Sequence, residues 1–336
     1  MSLSDRYKIA SQMSDYDKLN DEWIPYIMKF HCPNSYLGSV STNNLGFRNS
    51  VDCDGRVLSD KCLYDDSCQT KGKLGVVVGS SVVFGVGSTS DEFTIPSQLN
   101  RITSTNWHNF GGRAFNSTQE ILLFLLNLPH KLDKIVIVSG VNNLTLSYMN
   151  DSVSTIYSPF YSQSVFSDFG GTPLGVRLSF KHFINEMRYR IFGSRISRNS
   201  NQYSIVERYK AVISCFKRDL RVIKVIAKGL GVSVYFALQP LVTWIKKDLS
   251  TEEQKLFDVL DSASGMWETL SGYINSMKLE YFRDIQKLCS GVDIQFINLN
   301  EYSEFTSNEW LFVDRVHLTD AGNKIVANIL RREFNL

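Results

Sequence analysis

The chain has 336 residues, 43% apolar and 21% charged, which is an ordinary globular composition with length enough for a large core. Its 36 basic and 34 acidic residues leave a formal charge of +2, and no basic stretch is long. That excludes charge-driven recognition of nucleic acid or an anionic membrane surface, and no apolar run approaches the roughly 18 residues of a bilayer span.

Residues 1–30 are polar and mixed in charge, without the basic-then-apolar pattern of a secretory signal, so a cytoplasmic location is expected. The six cysteines (Cys32, Cys53, Cys62, Cys68, Cys215 and Cys289) then read as reduced thiols. Cys53, Cys62 and Cys68 cluster without a Cys-x-x-Cys pair or a neighbouring His, so no metal is expected. Residues 1–70, rich in Asn, Ser, Asp and Cys and lacking a long periodic segment, are expected to be an N-terminal extension packed on a body of residues 71–336.

In the body, an apolar run at 74–78 closes in Gly79, and a shorter candidate strand covers 106–109. A helix is predicted over 118–128, announced by Asn116-Ser117 and by Gln119 and Glu120 in its first turn. The run at 134–138 ends in Ser139-Gly140. Residues 145–200 are dense in Ser, Tyr and Phe and include Tyr157-Ser158-Pro159-Phe160-Tyr161, which suggests an ordered lid or substrate wall. Helical spacing covers 203–228, ending at Gly229, then 266–288 and 319–332, with strands at 232–238 and 294–299. Strands apolar along their whole length are buried on both faces and hence parallel. Alternation with helices predicts a three-layer α/β/α sandwich, whose ligand crevice lies at the carboxyl ends of the strands.

Three segments at those ends carry chemistry. Gly79-Ser80-Ser81-Val82-Val83-Phe84-Gly85 can place a serine hydroxyl on a tight turn into a helix, with backbone N–H groups facing the same space; Ser80 and Ser81 are both candidates. No lysine follows Gly85 or Gly87 as a P-loop requires, and Gly85-Val86-Gly87 lacks the third glycine of a dinucleotide fingerprint. The Asn142 amide in Gly140-Val141-Asn142-Asn143 can donate to a developing oxyanion, although Asn more often caps or turns the chain. Asp314-Arg315-Val316-His317 pairs the side chain able to take a serine proton near neutral pH with a carboxylate three residues earlier. Of the other histidines (His31, His108, His130 and His182), only His108 lies at a predicted strand end.

These blocks resemble those of the SGNH/GDSL hydrolases. Gly79-Ser80-Ser81 matches the family's Gly-Asp-Ser turn with Ser80 in place of Asp, which makes Ser81 the nucleophile candidate. Gly140-Val141-Asn142 matches the Gly-x-Asn block and Asp314 to His317 the closing Asp-x-x-His. The stretch from Asn109 to Ser117 looks like the remaining block, with Ala114, Gly111 or Gly112 at the position of the family's glycine donor. Asn43-Asn44-Leu45-Gly46-Phe47-Arg48 also looks like a segment ahead of the core in members linked to bacterial polysaccharides.

The resemblance implies a parallel, flavodoxin-like five-stranded sheet. It also implies a triad of Ser81, His317 and Asp314 and an oxyanion hole drawn from Ser81, Gly112, Ala114 and Asn142. Substrate contacts are expected from Asn109, Arg113, Tyr157 and Tyr161. The activity expected is hydrolysis of an O-acyl, above all O-acetyl, ester on a saccharide, with no metal or cofactor. Acyl transfer to a sugar from a donor such as acetyl-CoA, and a non-catalytic carbohydrate-binding module of the same fold, are the alternatives.

Overall fold

A computed structural model describes residues 5–65, 72–149, 178–179, 203–264 and 266–336. The polar N-terminal sequence forms short elements: helices α1 (Arg6–Ile9) and α2 (Met13–Lys18), strands β1 (Asn20–Ile24), β2 (Met28–His31), β3 (Tyr36–Leu37) and β4 (Val40–Ser41), and helix α3 (Lys61–Tyr64). There follow β5 (Lys73–Gly79), α4 (Ser81–Phe84), α5 (Ile95–Ile102), β6 (Thr105–Gly111), α6 (Ser117–Leu126), β7 (Lys134–Ser139) and α7 (Val141–Met149). After β8 (Leu178–Ser179) come α8 (Ile205–Leu230), β9 (Ser233–Leu238), α9 (Thr251–Ser264), α10 (Met266–Gly291), β10 (Gln295–Asn298) and α11 (Asp320–Phe334).

Strands β5, β6, β7, β9 and β10 form one sheet in the order β10-β9-β7-β5-β6, and every neighbouring pair is parallel. The order is flavodoxin-like, and its direction reverses between β5 and β7. Along β5, Leu74, Val76 and Val78 join one core with Phe124, Phe216, Tyr281 and Ile285, while Val77 joins the other with Leu99, Phe257, Val326 and Leu330. Side chains alternate across a strand, so covering both faces demands the unbroken apolarity seen in the sequence. The expected α/β/α sandwich is therefore present. A separate antiparallel sheet, β2-β1-β8, joins the N-terminal hairpin to the segment at 178–179.

Several boundaries differ from expectation. Helix α8 runs through Gly229 to Leu230, because Gly231 takes the left-handed cap (φ +69°) that ends a helix. Gly140 leads into α7, so residues 145–149, expected to begin the insertion, are helical. Helix α9 was not expected; a reciprocal Ser250–Glu253 capping box starts it. Tyr157 and Tyr161 lie outside the described residues. Among the described residues no helix is long and apolar enough to cross a membrane.

Candidate active site

Strand β5 ends beside β7, at the switch point of the sheet. A Cβ on Gly79 would lie 2.2 Å from the Val138 carbonyl oxygen of β7, so only glycine lets the strands approach there. Ser80 is extended and caps the single turn of α4, and Gly85 (φ +86°) closes it. The two serines diverge. Ser80 is buried and its hydroxyl donates to Gln239 Oε1 at 3.3 Å, whereas Ser81 Oγ lies 2.8 Å from His317 Nε2.

His317 is held by its own loop. Asp314 Oδ1 accepts the N–H groups of Val316 (2.9 Å) and His317 (2.8 Å), an Asx turn, while Oδ2 lies 2.7 Å from His317 Nδ1. Burial alone would push the Asp314 carboxyl up, but the charge of His317 and these hydrogen bonds bring it down to about 2. The ionised carboxylate can only accept, so Nδ1 carries the proton and Nε2 offers its lone pair to the Ser81 hydroxyl. That is the arrangement of a nucleophile, a base and an orienting acid.

The loop is anchored from both ends. Val313 N–H donates to the His317 carbonyl (2.9 Å), and Thr319 N–H to that of Leu311 (2.9 Å). The side chain of Thr319 then caps α11. Glu253, fully buried, accepts the N–H groups of Leu311 (2.9 Å) and Phe312 (3.0 Å) on Oε1. Arg315 pairs with Asp261 and lies 4.8 Å over the Phe257 ring, pinning the loop to α9. Sequence reasoning missed Glu253; the Ser250-x-x-Glu253 pattern was its local signal, but its partners lie some 58 residues on.

Around the serine, the loop after β6 assigns its N–H groups one by one. Gly111 donates to Asn109 Oδ1 (2.9 Å), Gly112 to the Gly79 carbonyl (3.0 Å) and Arg113 to His31 Nε2 (3.3 Å). This corrects the expectation for Gly112, whose donor is committed to the strand it extends. Ala114 stands at φ +61°, a conformation natural to glycine and strained for other residues. The Asn142 amide gives one hydrogen to the Phe115 carbonyl (2.7 Å), and such an amide has two.

Two expected substrate contacts are corrected. Arg113 is 1% exposed, and its guanidinium binds the carbonyls of Tyr16 (2.9 Å) and Leu19 (2.7 Å) and the Asp21 carboxylate (2.6 Å). Asn109, 2% exposed, donates to the Val83 carbonyl (2.8 Å) and so braces α4 from beneath. His108 is also buried and contacts Asp60 rather than the serine. Behind the Gly140 end of β7, Ser139 donates to Glu120 Oε1 (2.7 Å) and Tyr281 to the Gly140 carbonyl (2.6 Å). Burial, reinforced by Asp219, pushes the Glu120 carboxyl up to about 8 despite that hydrogen bond.

No protein-family model and no curated protein matches the sequence. Solved structures do. The chain is similar to the acetyl xylan esterase AlAXEase at 14% identity and a TM-score of 0.39, over 77% of this chain and 98% of that one. It is similar to an extracellular lipase from Streptomyces rimosus at 13% identity and a TM-score of 0.44, over 78% and 100%. A two-domain esterase active on acetylated mannans matches at 11% identity and a TM-score of 0.42, over 79% of this chain and 48% of that one. The structural neighbours are SGNH/GDSL-type lipases and acetyl xylan and mannan esterases.

Proposed function

We propose that the chain is a serine esterase that removes an O-acyl group, O-acetyl above all, from a carbohydrate. The observation that carries the reading is the relay of Ser81, His317 and Asp314, with contacts of 2.8 and 2.7 Å. Ser81 Oγ attacks the acyl carbon as His317 Nε2 takes its proton, and Asp314 steadies the imidazolium. The Ser81 N–H, the Ala114 N–H and the Asn142 amide are the donors proposed for the oxyanion; one such donor is worth about 2.7–4 kcal/mol of barrier. His317 returns the proton to the departing sugar oxygen, leaving an acyl-enzyme. Water, deprotonated by His317, then releases the acid and restores Ser81. The carbohydrate acetyl ester is the finer part of the proposal and accords with the likeness of Asn43 to Arg48 to a segment of bacterial members linked to polysaccharides.

The test is p-nitrophenol release from p-nitrophenyl acetate, with and without sugar acceptors, alongside fluorophosphonate labelling. Ser81→Ala should abolish both release and labelling, Ser80→Ala should keep both, and Asp314→Asn should lower kcat by about 10⁴-fold. Labelling that follows Ser80 instead would refute the assignment. Release stimulated by an acceptor, with acetylated sugar appearing, would make the enzyme a transferase.

A further inference from the structure

Helix α4, which carries Ser81, is a single turn of four residues. One turn is too short to hold itself in place, since nucleating a helix costs more than its first hydrogen bonds return. Its position is therefore imposed from outside, by strand β6 beneath it and, at its far end, by residues 12–48 as well. Arg48, with a side chain fully buried, sends Nη1 to the carbonyls of Phe84 (3.2 Å) and Gly85 (2.8 Å), where α4 ends. The same nitrogen meets the Tyr16 hydroxyl at 2.6 Å, Nη2 donates to the Ser39 carbonyl at 2.7 Å, and Nε to Asp91 Oδ1 at 2.8 Å.

The guanidinium also lies 5.5 Å over the ring of Phe84, the last residue of α4. Tyr16 Oη is 2.8 Å from each of the Gly85 and Ser88 carbonyls, and Gln12 donates to that of Gly87 at 3.0 Å. On the other side, the His31 ring packs 3.9 Å from that of Phe84. Its Nε2 accepts the Arg113 N–H, so Nδ1 donates to the Gly46 carbonyl. One cation thus sits at the carbonyl end of the turn whose opposite end presents the serine, the favourable polarity for a helix terminus.

We propose that Arg48 is a positioning residue for the nucleophile: its fork of donors fixes the end of α4 and so sets the distance from Ser81 Oγ to His317 Nε2. The proposal rests on Ser81 being the nucleophile. Lysine would keep the charge but not the fork, because an ammonium is a compact point donor and cannot span Asp91, Ser39 and the two carbonyls together. A displacement of about 1 Å at a reacting atom costs up to about 10²-fold in rate. The effect belongs in the chemical step, since the Arg48 side chain is fully buried.

The experiment compares wild type with Arg48→Lys and Tyr16→Phe, the latter a near-isosteric change that removes only the hydroxyl shared by Arg48, Gly85 and Ser88. The readouts are kcat and KM for p-nitrophenyl acetate, the fluorophosphonate inactivation rate, and circular dichroism. Arg48→Lys should lower kcat and the inactivation rate at least about tenfold, with KM within about twofold and an unchanged spectrum. Tyr16→Phe should move the same constants in the same direction by less, and it serves as the test if Arg48→Lys does not fold. Folded variants that react at the wild-type rate, differing only in melting temperature, would overturn the positioning role and leave the esterase reading intact. A folded wild type that neither hydrolyses ester nor takes the label would overturn both.

Discussion

Arg48 and Arg113 are each 1% exposed, and both use the guanidinium fork to gather backbone carbonyls from distant parts of the chain. From the sequence alone, Arg113 next to a glycine-rich turn looks like a ligand for substrate. What decides otherwise is Asp21, which is 92 residues away along the chain and whose carboxyl is brought down to about 2. Burial pushes that carboxyl up, and the charges of Arg113 and Lys29 more than offset it. Removing one member of a buried ion pair typically costs about 3–5 kcal/mol, because the partner stays charged and dry. Arg113→Ala should therefore destabilise the protein by about that much in urea unfolding, while the KM of the remaining folded protein stays near wild type. A loss below about 1 kcal/mol with a raised KM would return Arg113 to the substrate. The same distances explain what could be read beforehand. Asp314 and His317 are three residues apart and their relation is local; Glu253, Gln239 and Arg48 act through partners dozens of residues away, which spacing cannot reveal.

Among the elements, β7 and α6 meet at a buried carboxyl. Glu120, buried beneath the Gly140 turn, has a carboxyl raised to about 8 from an ordinary value of 4.5. A carboxyl with a raised folded-state pKa holds its proton in the native state while the unfolded chain has already lost it. Its stabilising share is complete below about 4.5 and is lost as the pH rises through about 8. Glu120→Gln should remove that loss, so thermal melts of the variant should vary less between pH 5 and pH 8 than those of wild type. Parallel melting curves for the two proteins across that range would show that Glu120 is ionised throughout. The strands around this group were legible because burial on both faces forces an unbroken apolar run. Helix α7 was not, because Val141-Asn142-Asn143 reads as a turn. In the fold, Asn143 is buried and bonds both the backbone and the hydroxyl of Ser117 on α6, a partner no local pattern announces.

Across the whole molecule, the first sixty residues are less an appendage than the rear wall of the site. Phe30 and Phe47 lie in the same core as Val76 and Phe110, and Met13 and Tyr16 in the same core as Val77 and Phe84. Removing residues 1–60 should therefore expose both cores and abolish fluorophosphonate labelling of what remains. A truncated protein that labels at the full rate would make the segment an independent unit. Residues 1–70 carry no long periodic segment, and a polar sequence does not show which of its few apolar residues reach the sheet.

The Ser81–His317 contact also has a meaning in time. The two residues are 236 positions apart, and synthesis runs from the serine toward the histidine. A growing chain can form β5, the nucleophile turn and its brace of N-terminal residues long before it owns a base. If Ser81 is the nucleophile proposed above, the hydroxyl is an ordinary alcohol throughout that interval. On the proposed reading, the last helix, docking against α5, is then less a closing structural piece than the event that completes the triad.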